Sequence, residues 1–534
     1  MKNLYMIFIL CFLFFSSPLR AESIATPLVP VSDAVYGVID LFLSHQLIHE
    51  RVMGQRPYSR SEIARLLEEA LQNFNKQKID ENEVGSSKKY IKTLLDYWCG
   101  SYACNKSAAP SEWHFLESTS FETAYLNSSP RPYFELPGTS YNPLVSYESG
   151  KHYVKGAQSF LETNHWFRMG PHVAGFVEPR LQLEYLHQEG AEKQAVFLGQ
   201  GYASFVLANT QFVVGRQPIQ WGQTQQGGFL FSNHARALDA IHISNPTPWT
   251  FKYVGSLKYG LFLANLGPEQ IYPYPFLLGM KVSWLPIPYL EFGIARALIF
   301  GGEGAPIASF WTQIGETFGA RPAGGDVGNF SSSLNGFELR GRITPLRGLE
   351  IYSEVYFEDF NSAHIFRSFD QDTAILVGLL LPRLDEKGSW QTALEWRRTT
   401  DLLYENSTWP TGWTMNGLVL GDPLGADAES FSLHLKKRWS PELEGNGSLQ
   451  WERVDSDIFT GSGARGREIV TKQTSEYRVR SLLSLQYNWL PWWQWMGTAG
   501  YEWVDNFNFI VNNTKNNFLV RLGMKVILDE WTRR

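Results

Sequence analysis

From Leu349 to Glu358 the odd positions are mainly apolar (Leu349, Ile351, Val355, Phe357) and the even ones are acidic or phenolic (Glu350, Tyr352, Glu354, Tyr356, Glu358). Successive side chains of a β-strand point to opposite faces, so this run has one greasy side and one wet side. It is also long enough to cross a bilayer at a tilt, which takes about 9–11 residues. A soluble sandwich gives the same alternation in a single strand, and only repetition separates the two. Tyr477, Val479, Leu483, Leu485, Tyr487 and Trp489 alternate with Arg478, Arg480, Ser484, Gln486 and Asn488. Aromatic residues close that apolar row at both ends, where a membrane barrel carries its girdles. The beat returns in Leu181/Leu183/Tyr185, Phe337/Leu339/Ile343, Trp390/Leu394/Trp396, Phe431/Leu433/Leu435 and Phe518/Val520/Leu522/Met524/Val526. Charges crowd one face and nearly avoid the other. The pattern predicts a mainly β protein, a transmembrane antiparallel β-barrel.

Between Thr26 and Trp98 the period becomes helical. Val35, Tyr36, Val38, Ile39, Phe42 and Leu47 predict a first helix, capped by Ser32 or Asp33. Ser59-Arg-Ser-Glu62 reads as a capping box that opens a second helix through Ile63, Leu66, Leu67, Ala70 and Leu71. Tyr90, Ile91, Leu94, Leu95 and Trp98 predict a third. Short amphipathic helices bury their stripes against each other or against the rest of the protein, so residues 22–107 are expected to form a small α-helical module. Asn105 to Pro110 would cross into a barrel of residues 108–534. At about 20–26 residues for each strand with its connection, that length supplies roughly 16–20 strands. The Gly-rich stretch Phe300–Gly336 is expected to be an external loop.

Met1–Ala21 reads as a secretory signal, with Lys2, an apolar core from Leu4 to Phe15 and a cut after Ala21. Beyond it no apolar run reaches about 18 residues, so no transmembrane helix is expected. A formal charge of -6 without a basic stripe argues against nucleic acid as a partner. Cys11 lies within the signal, which leaves Cys99 and Cys104. In an oxidising compartment these are expected to form a disulfide closing a tight loop, and no further cysteine or spaced histidine pair supports a metal site. So short a loop makes the bridge a local pin rather than a support of the fold.

Several motifs follow one another: Gly215-Arg-Gln-Pro-Ile-Gln-Trp-Gly222, Gly227-Gly-Phe-Leu-Phe-Ser-Asn233, Arg236-Ala-Leu-Asp-Ala240 and Pro246-Thr-Pro-Trp249, with Leu420-Gly-Asp-Pro-Leu-Gly-Ala-Asp427 further on. Together with Gly54-Gln-Arg-Pro-Tyr-Ser-Arg-Ser-Glu-Ile-Ala64 they resemble the motifs of the capsule-assembly Wzi family, over nearly all of the mature chain. Two departures stand out. Trp221-Gly-Gln-Thr224 occupies the place of the family's usual Trp-Gly-Pro-Gly, and the last strand runs on through Trp531 to Arg534 instead of ending on an aromatic residue. The resemblance implies an 18-stranded barrel in the bacterial outer membrane, with the helical module near its periplasmic mouth and no cofactor. It implies a non-catalytic role, attaching or organising capsular or extracellular polysaccharide at the cell surface. The partners expected are that polysaccharide, outer-membrane lipids and the barrel-assembly machinery, with a monomer as the default.

On this reading Arg216 offers a planar fork of donors to glycan carboxylates or hydroxyls, the alternative being a lumen ion pair with a carboxylate such as Asp239. Trp221 can stack on a sugar ring or pack in a girdle or loop. Asp422 and Asp427 can meet sugar hydroxyls or a cation, although turn-capping is the commoner use of such residues. Gly222, Gly227, Gly228 and Gly425 supply backbone freedom at turns. Two rival functions stay open. An open lumen would make the chain a porin-like channel for sugars or anions. His234 with Ser232, Asn233 and Asp239 would make it an outer-membrane hydrolase, which nothing in their spacing requires. Glu350, Glu354 and Glu358 read as a solvated lumen wall, and His434 as lumen lining.

Overall fold

A computed structural model describes residues 23–76, 86–102, 104, 111–133, 136, 138–185, 193–317, 330–358, 373–406, 408–456, 458–459 and 469–528. The expected signal, the 105–110 crossing and Trp531 lie outside them.

Eighteen antiparallel strands close into a barrel. They are β1 (Ser111–Leu126), β2 (Gly156–Met169), β3 (Val173–Glu184), β4 (Lys193–Leu207), β5 (Thr210–Gln217), β6 (Leu238–Ser244), β7 (Gly255–Asn265), β8 (Phe276–Ile287) and β9 (Leu290–Phe300). The second half comprises β10 (Ser331–Ile343), β11 (Leu349–Glu358), β12 (Thr373–Leu381), β13 (Trp390–Thr399), β14 (Ala428–Arg438), β15 (Leu443–Val454), β16 (Glu476–Leu490), β17 (Trp493–Asp505) and β18 (Lys515–Ile527). Neighbours in sequence are neighbours in the sheet, and β1 closes the ring by pairing with both β2 and β18, Thr123 lying opposite Ser159 on one side and Leu522 on the other. Closure leaves no unpaired sheet edge, the condition for strands to exist in lipid.

The alternation expected from the sequence is present in three dimensions. Leu483, Leu485, Tyr487 and Trp489 face outward and are exposed, while Arg478 and Arg480 are buried inside. On β11, Ile351 faces out and Glu350, Tyr352, Glu354, Tyr356 and Glu358 face in. One expectation about that row is corrected. These carboxylates are not solvated: Glu354 is 0% exposed, because other parts of the chain fill the lumen against them. The loop expected over Phe300–Gly336 is shorter than thought at its far end, since Ser331–Gly336 already belongs to β10 and pairs with β9.

One end of the barrel has tight turns, such as Ala208–Asn209 between β4 and β5 and Pro288–Tyr289 between β8 and β9. Long connections, such as 127–155, 218–237 and 400–427, gather at the other. Short turns mark the periplasmic end and long loops the exterior. The helical module sits at the short-turn end, where Tyr97 Oη accepts from Asn488 Nδ2 (2.9 Å) and Ser87 Oγ donates to the Glu386 carbonyl (3.1 Å). It consists of α1 (Val35–Ser44), α2 (Arg60–Lys76) and α3 (Ser86–Ser101). Ala34, not Ser32 or Asp33, holds the N-cap position of α1, with Asp33 just before it accepting from Val35 N (2.9 Å), and Ser59 Oγ accepts from Glu62 N (3.2 Å). The capping box is only half formed, because the Glu62 carboxylate turns to Arg65 and Thr247 instead. Every residue of α1 is buried, since one side packs on α2 and α3 and the other on the barrel mouth.

The expected disulfide is not formed: Cys99 and Cys104 are free thiols. The turn after α3 does bring them together, with Cys104 N donating to the Cys99 carbonyl (3.0 Å), while the thiols point to the Leu67 (3.8 Å) and Ala64 (3.9 Å) carbonyls of α2. Each thiol's nearness to the other holds Cys99 below and Cys104 above the ordinary thiol range.

Candidate functional site

The segment from Pro218 to Ala237, which carries most of the sequence motifs, turns inward after β5 and crosses the lumen. There its Gln220–Trp221 pair forms a two-residue antiparallel ladder with Gln55–Arg56 of the helical module, Gln55 opposite Trp221 and Arg56 opposite Gln220. Gly222 N donates to the Gly54 carbonyl (3.1 Å). The segment then doubles back on itself, with Trp221 N donating to the Phe231 carbonyl (3.0 Å) and Gly228 N to that of Trp221 (3.1 Å). Ser232 N reaches the Leu420 carbonyl (2.9 Å), which ties it to the loop 400–427. The motifs therefore form the joint between a plug entering from the short-turn end and loops folding in from the long-loop end.

Glycine is required at this crossing. Gly222 has φ +139° and a Cβ there would lie 2.4 Å from Gly228 Cα; one on Gly228 would lie 2.1 Å from Glu354 Oε2. Gly227 (φ +105°) and Gly425 (φ +77°) also occupy left-handed turns.

Trp221 is 1% exposed and packs on Phe231 and Phe262, with ring centroids 5.4 and 5.2 Å away. Of the two uses expected for it, the structure shows packing: the ring is closed off from solvent. Asp422, also 1% exposed, is closed off in the same way. Its Oδ1 accepts from Leu424 N (2.9 Å) and its Oδ2 pairs with Arg397 (3.1 Å), which is turn-capping and a lumen ion pair together. Asp427 is half-buried at the top of β14, with backbone bonds to Thr400 and Asp455.

Arg216 and Asp239 lie opposite one another on β5 and β6. Arg216 Nε and Nη2 donate to both Asp239 oxygens (2.8 and 2.9 Å), and Arg236 adds a third bond (3.0 Å). The expected alternative of a lumen pair is corrected in one respect: the pair is on the outer wall. Phe212 and Val214 face out while Val213 and Gln217 face in, so parity puts Arg216 on the outside near the long-loop end.

Sequence reasoning missed the residue that links most of the interior. Gln223 is 0% exposed. Its N–H donates to Glu354 (2.5 Å), its side-chain amide to Glu338 (2.8 Å) and Glu291 (3.3 Å), and its Oε1 accepts from Arg340 Nε (3.0 Å). Around it Lys281 pairs with Glu338 and Arg340 with Glu350, while Glu291 also accepts from Met53 N (2.8 Å) and Gly54 N (2.9 Å). The signal was available: Gln223 stands where the resembling family has proline. Aromatic residues of the 400–427 loop were missed as well. Tyr404, Trp409 and Trp413 are all 0% exposed, with Tyr404 Oη donating to the Phe229 carbonyl (2.5 Å) and Trp413 Nε1 to Ser332 (3.0 Å). Loop 127–155 fills the opposite half of the lumen, where Arg131 pairs with Glu476 (3.2 Å) and Glu502 (2.5 Å).

The hydrolase set is not brought together. Ser232 Oγ donates to the Gly421 carbonyl (2.5 Å), Asp239 is engaged on the outer wall, and burial pushes His234 down to about 3.

A solved structure of the Escherichia coli outer-membrane protein Wzi, described as a carbohydrate-binding β-barrel involved in group 1 capsule assembly, is similar to 94% of this chain over 99% of its own, at 15% identity and a TM-score of 0.66. Pseudomonas aeruginosa OccD3 gives a TM-score of 0.44 at 10% identity, over 79% of this chain and 92% of its own. A 55.8 kDa Klebsiella pneumoniae protein of the cps region is 23% identical over 167 residues, 30% of this chain. That match spans 32% of the relative's length. The family described as capsule assembly protein Wzi matches residues 127–519, which is most of the chain, and the chain belongs to that family.

Proposed function

We propose that this barrel works without catalysis, holding or organising capsular or related polysaccharide at the outer face of the outer membrane. The observation that carries this is the filled lumen. Plug and loops meet across it through the Gln55–Trp221 ladder and the bonds of Ser232 to Leu420 and Tyr404 to Phe229, and Trp221, Gln223, Trp409 and Trp413 are closed off from solvent at that meeting. A barrel filled in this way offers its outside rather than a conduit. Glycan contact then belongs to surface groups: the Arg216–Asp239 pair on the rim, Asp427, and the rings of Tyr274 and Trp311, 49% and 76% exposed on long-end connections. Trp221 and Asp422 support these surfaces from behind. Outer-membrane lipids wet the wall, the barrel-assembly machinery inserts it, and the chain acts as a monomer.

Deleting the gene tests the role: polysaccharide should appear in the medium while its synthesis continues. Unchanged cell-bound polysaccharide would end the proposal. Replacing both Tyr274 and Trp311 by alanine should weaken binding of purified polysaccharide about tenfold or more, at roughly 1–3 kcal/mol for lost aromatic contact, and leave the melting temperature unchanged.

A further inference from the structure

A second cavity lies where the plug meets the barrel wall, between Gln55–Pro57 and the inner faces of β5, β6 and β7. Its volume is about 30 Å³, and it is lined by Arg56, Gln211, Trp221, His242, Ser244 and Lys258 among others. None of the described residues lining it is acidic. Arg56, Gln211 and Lys258 are 4%, 3% and 6% exposed. Arg56 spends its terminal nitrogens on the Thr224 and Gln225 carbonyls, yet its Nε has no partner. Gln211 Nε2 and His242 Nε2 are likewise shielded from solvent and unpartnered. The Lys258 ammonium lies 5.0 Å above the Tyr58 ring.

The nearest carboxylates are committed elsewhere. Glu62 is held by Arg65 through two bonds of 2.8 Å and by Thr247 (3.0 Å), and Glu291 by the backbone of Met53 and Gly54. Two desolvated cations, an unpartnered amide donor and an unpartnered imidazole nitrogen thus converge with no carboxylate among them, which is an arrangement costly to bury without a counter-charge. The space suits a monatomic guest, since a water-sized occupant needs about 10–15 Å³. We propose that this cavity binds a small inorganic anion of chloride size, held by Lys258 and Arg56 with Gln211 and His242 completing its shell. It would pin the plug to the wall by lending both the same counter-ion.

Crystals of the full chain grown with bromide in place of chloride decide the point. An anomalous peak in contact with Lys258 and Gln211 supports the site, and a cavity holding only water overturns it. In solution the melting temperature of the detergent-solubilised protein should rise by about 1–2 °C per tenfold increase in chloride, at constant ionic strength kept with gluconate. Lys258→Met should abolish that rise. Melting that is indifferent to chloride in the unaltered chain would count against the proposal, and needs no variant to fold.

Discussion

A proline at position 223 would have no N–H for Glu354 and no amide for Glu338 and Glu291. Substituting Gln223→Pro therefore leaves several buried groups unsatisfied at about 1–3 kcal/mol each, and should lower the melting temperature in detergent markedly. An unchanged melting curve would mean that Gln223 does not bridge the plug-facing carboxylates. Titration acts at this scale too. His45, in the turn after α1, is held down to about 4 by burial and by Arg383; His234 is held down to about 3 by burial and by His152. Both lie below the unfolded value of about 6.5, so the unfolded chain binds more protons in acid. Their contribution is complete above about pH 6.5 and is lost as pH falls toward about 4, at roughly 1.4 kcal/mol per unit for each. Thermal melts across that window should show the loss, and the double variant His45→Gln, His234→Gln should flatten it.

Strands and helices were largely legible from residue pattern, whereas the course of the loops was not. Alternation on β11 and β16 identified both faces because lipid tolerates almost no charge outside, so the code is strict. The three helices followed from their stripes and from Asp33 and Ser59 for the same reason: each signal is local. Pro218–Ala237 carries no comparable signal. Its partners, Gln55, Glu354 and Leu420, are far off in sequence, and a glycine-rich turn reads alike whether it points to solvent or into a lumen. Arg216 illustrates the limit: its ion pair with Asp239 was foreseen, but its face depended on parity with Phe212 and Val214. Parity also makes a prediction. Leu483 lies midway along β16 and is 67% exposed, so Leu483→Arg should destabilise the barrel in bilayers by about 2–4 kcal/mol. Equilibrium folding into lipid vesicles measures this; a neutral result would mean that β16 does not face hydrocarbon.

At the scale of the whole molecule, the consequence of these contacts is a cylinder that the described residues shut from both ends. The helical module enters from the short-turn end and holds Glu291 and Trp221, while the 127–155 and 400–427 loops each bond the 218–237 segment from the long-loop end. Barrel, plug and cap share one polar interior, which is why a soluble helical stretch and a set of glycine-rich motifs belong to one working surface. Single-channel recording of the purified full chain in planar bilayers tests that closure most directly. The filled lumen predicts no steady conductance above that of the bare bilayer; a large, stable, ohmic step would contradict it and return the barrel to the class of open channels.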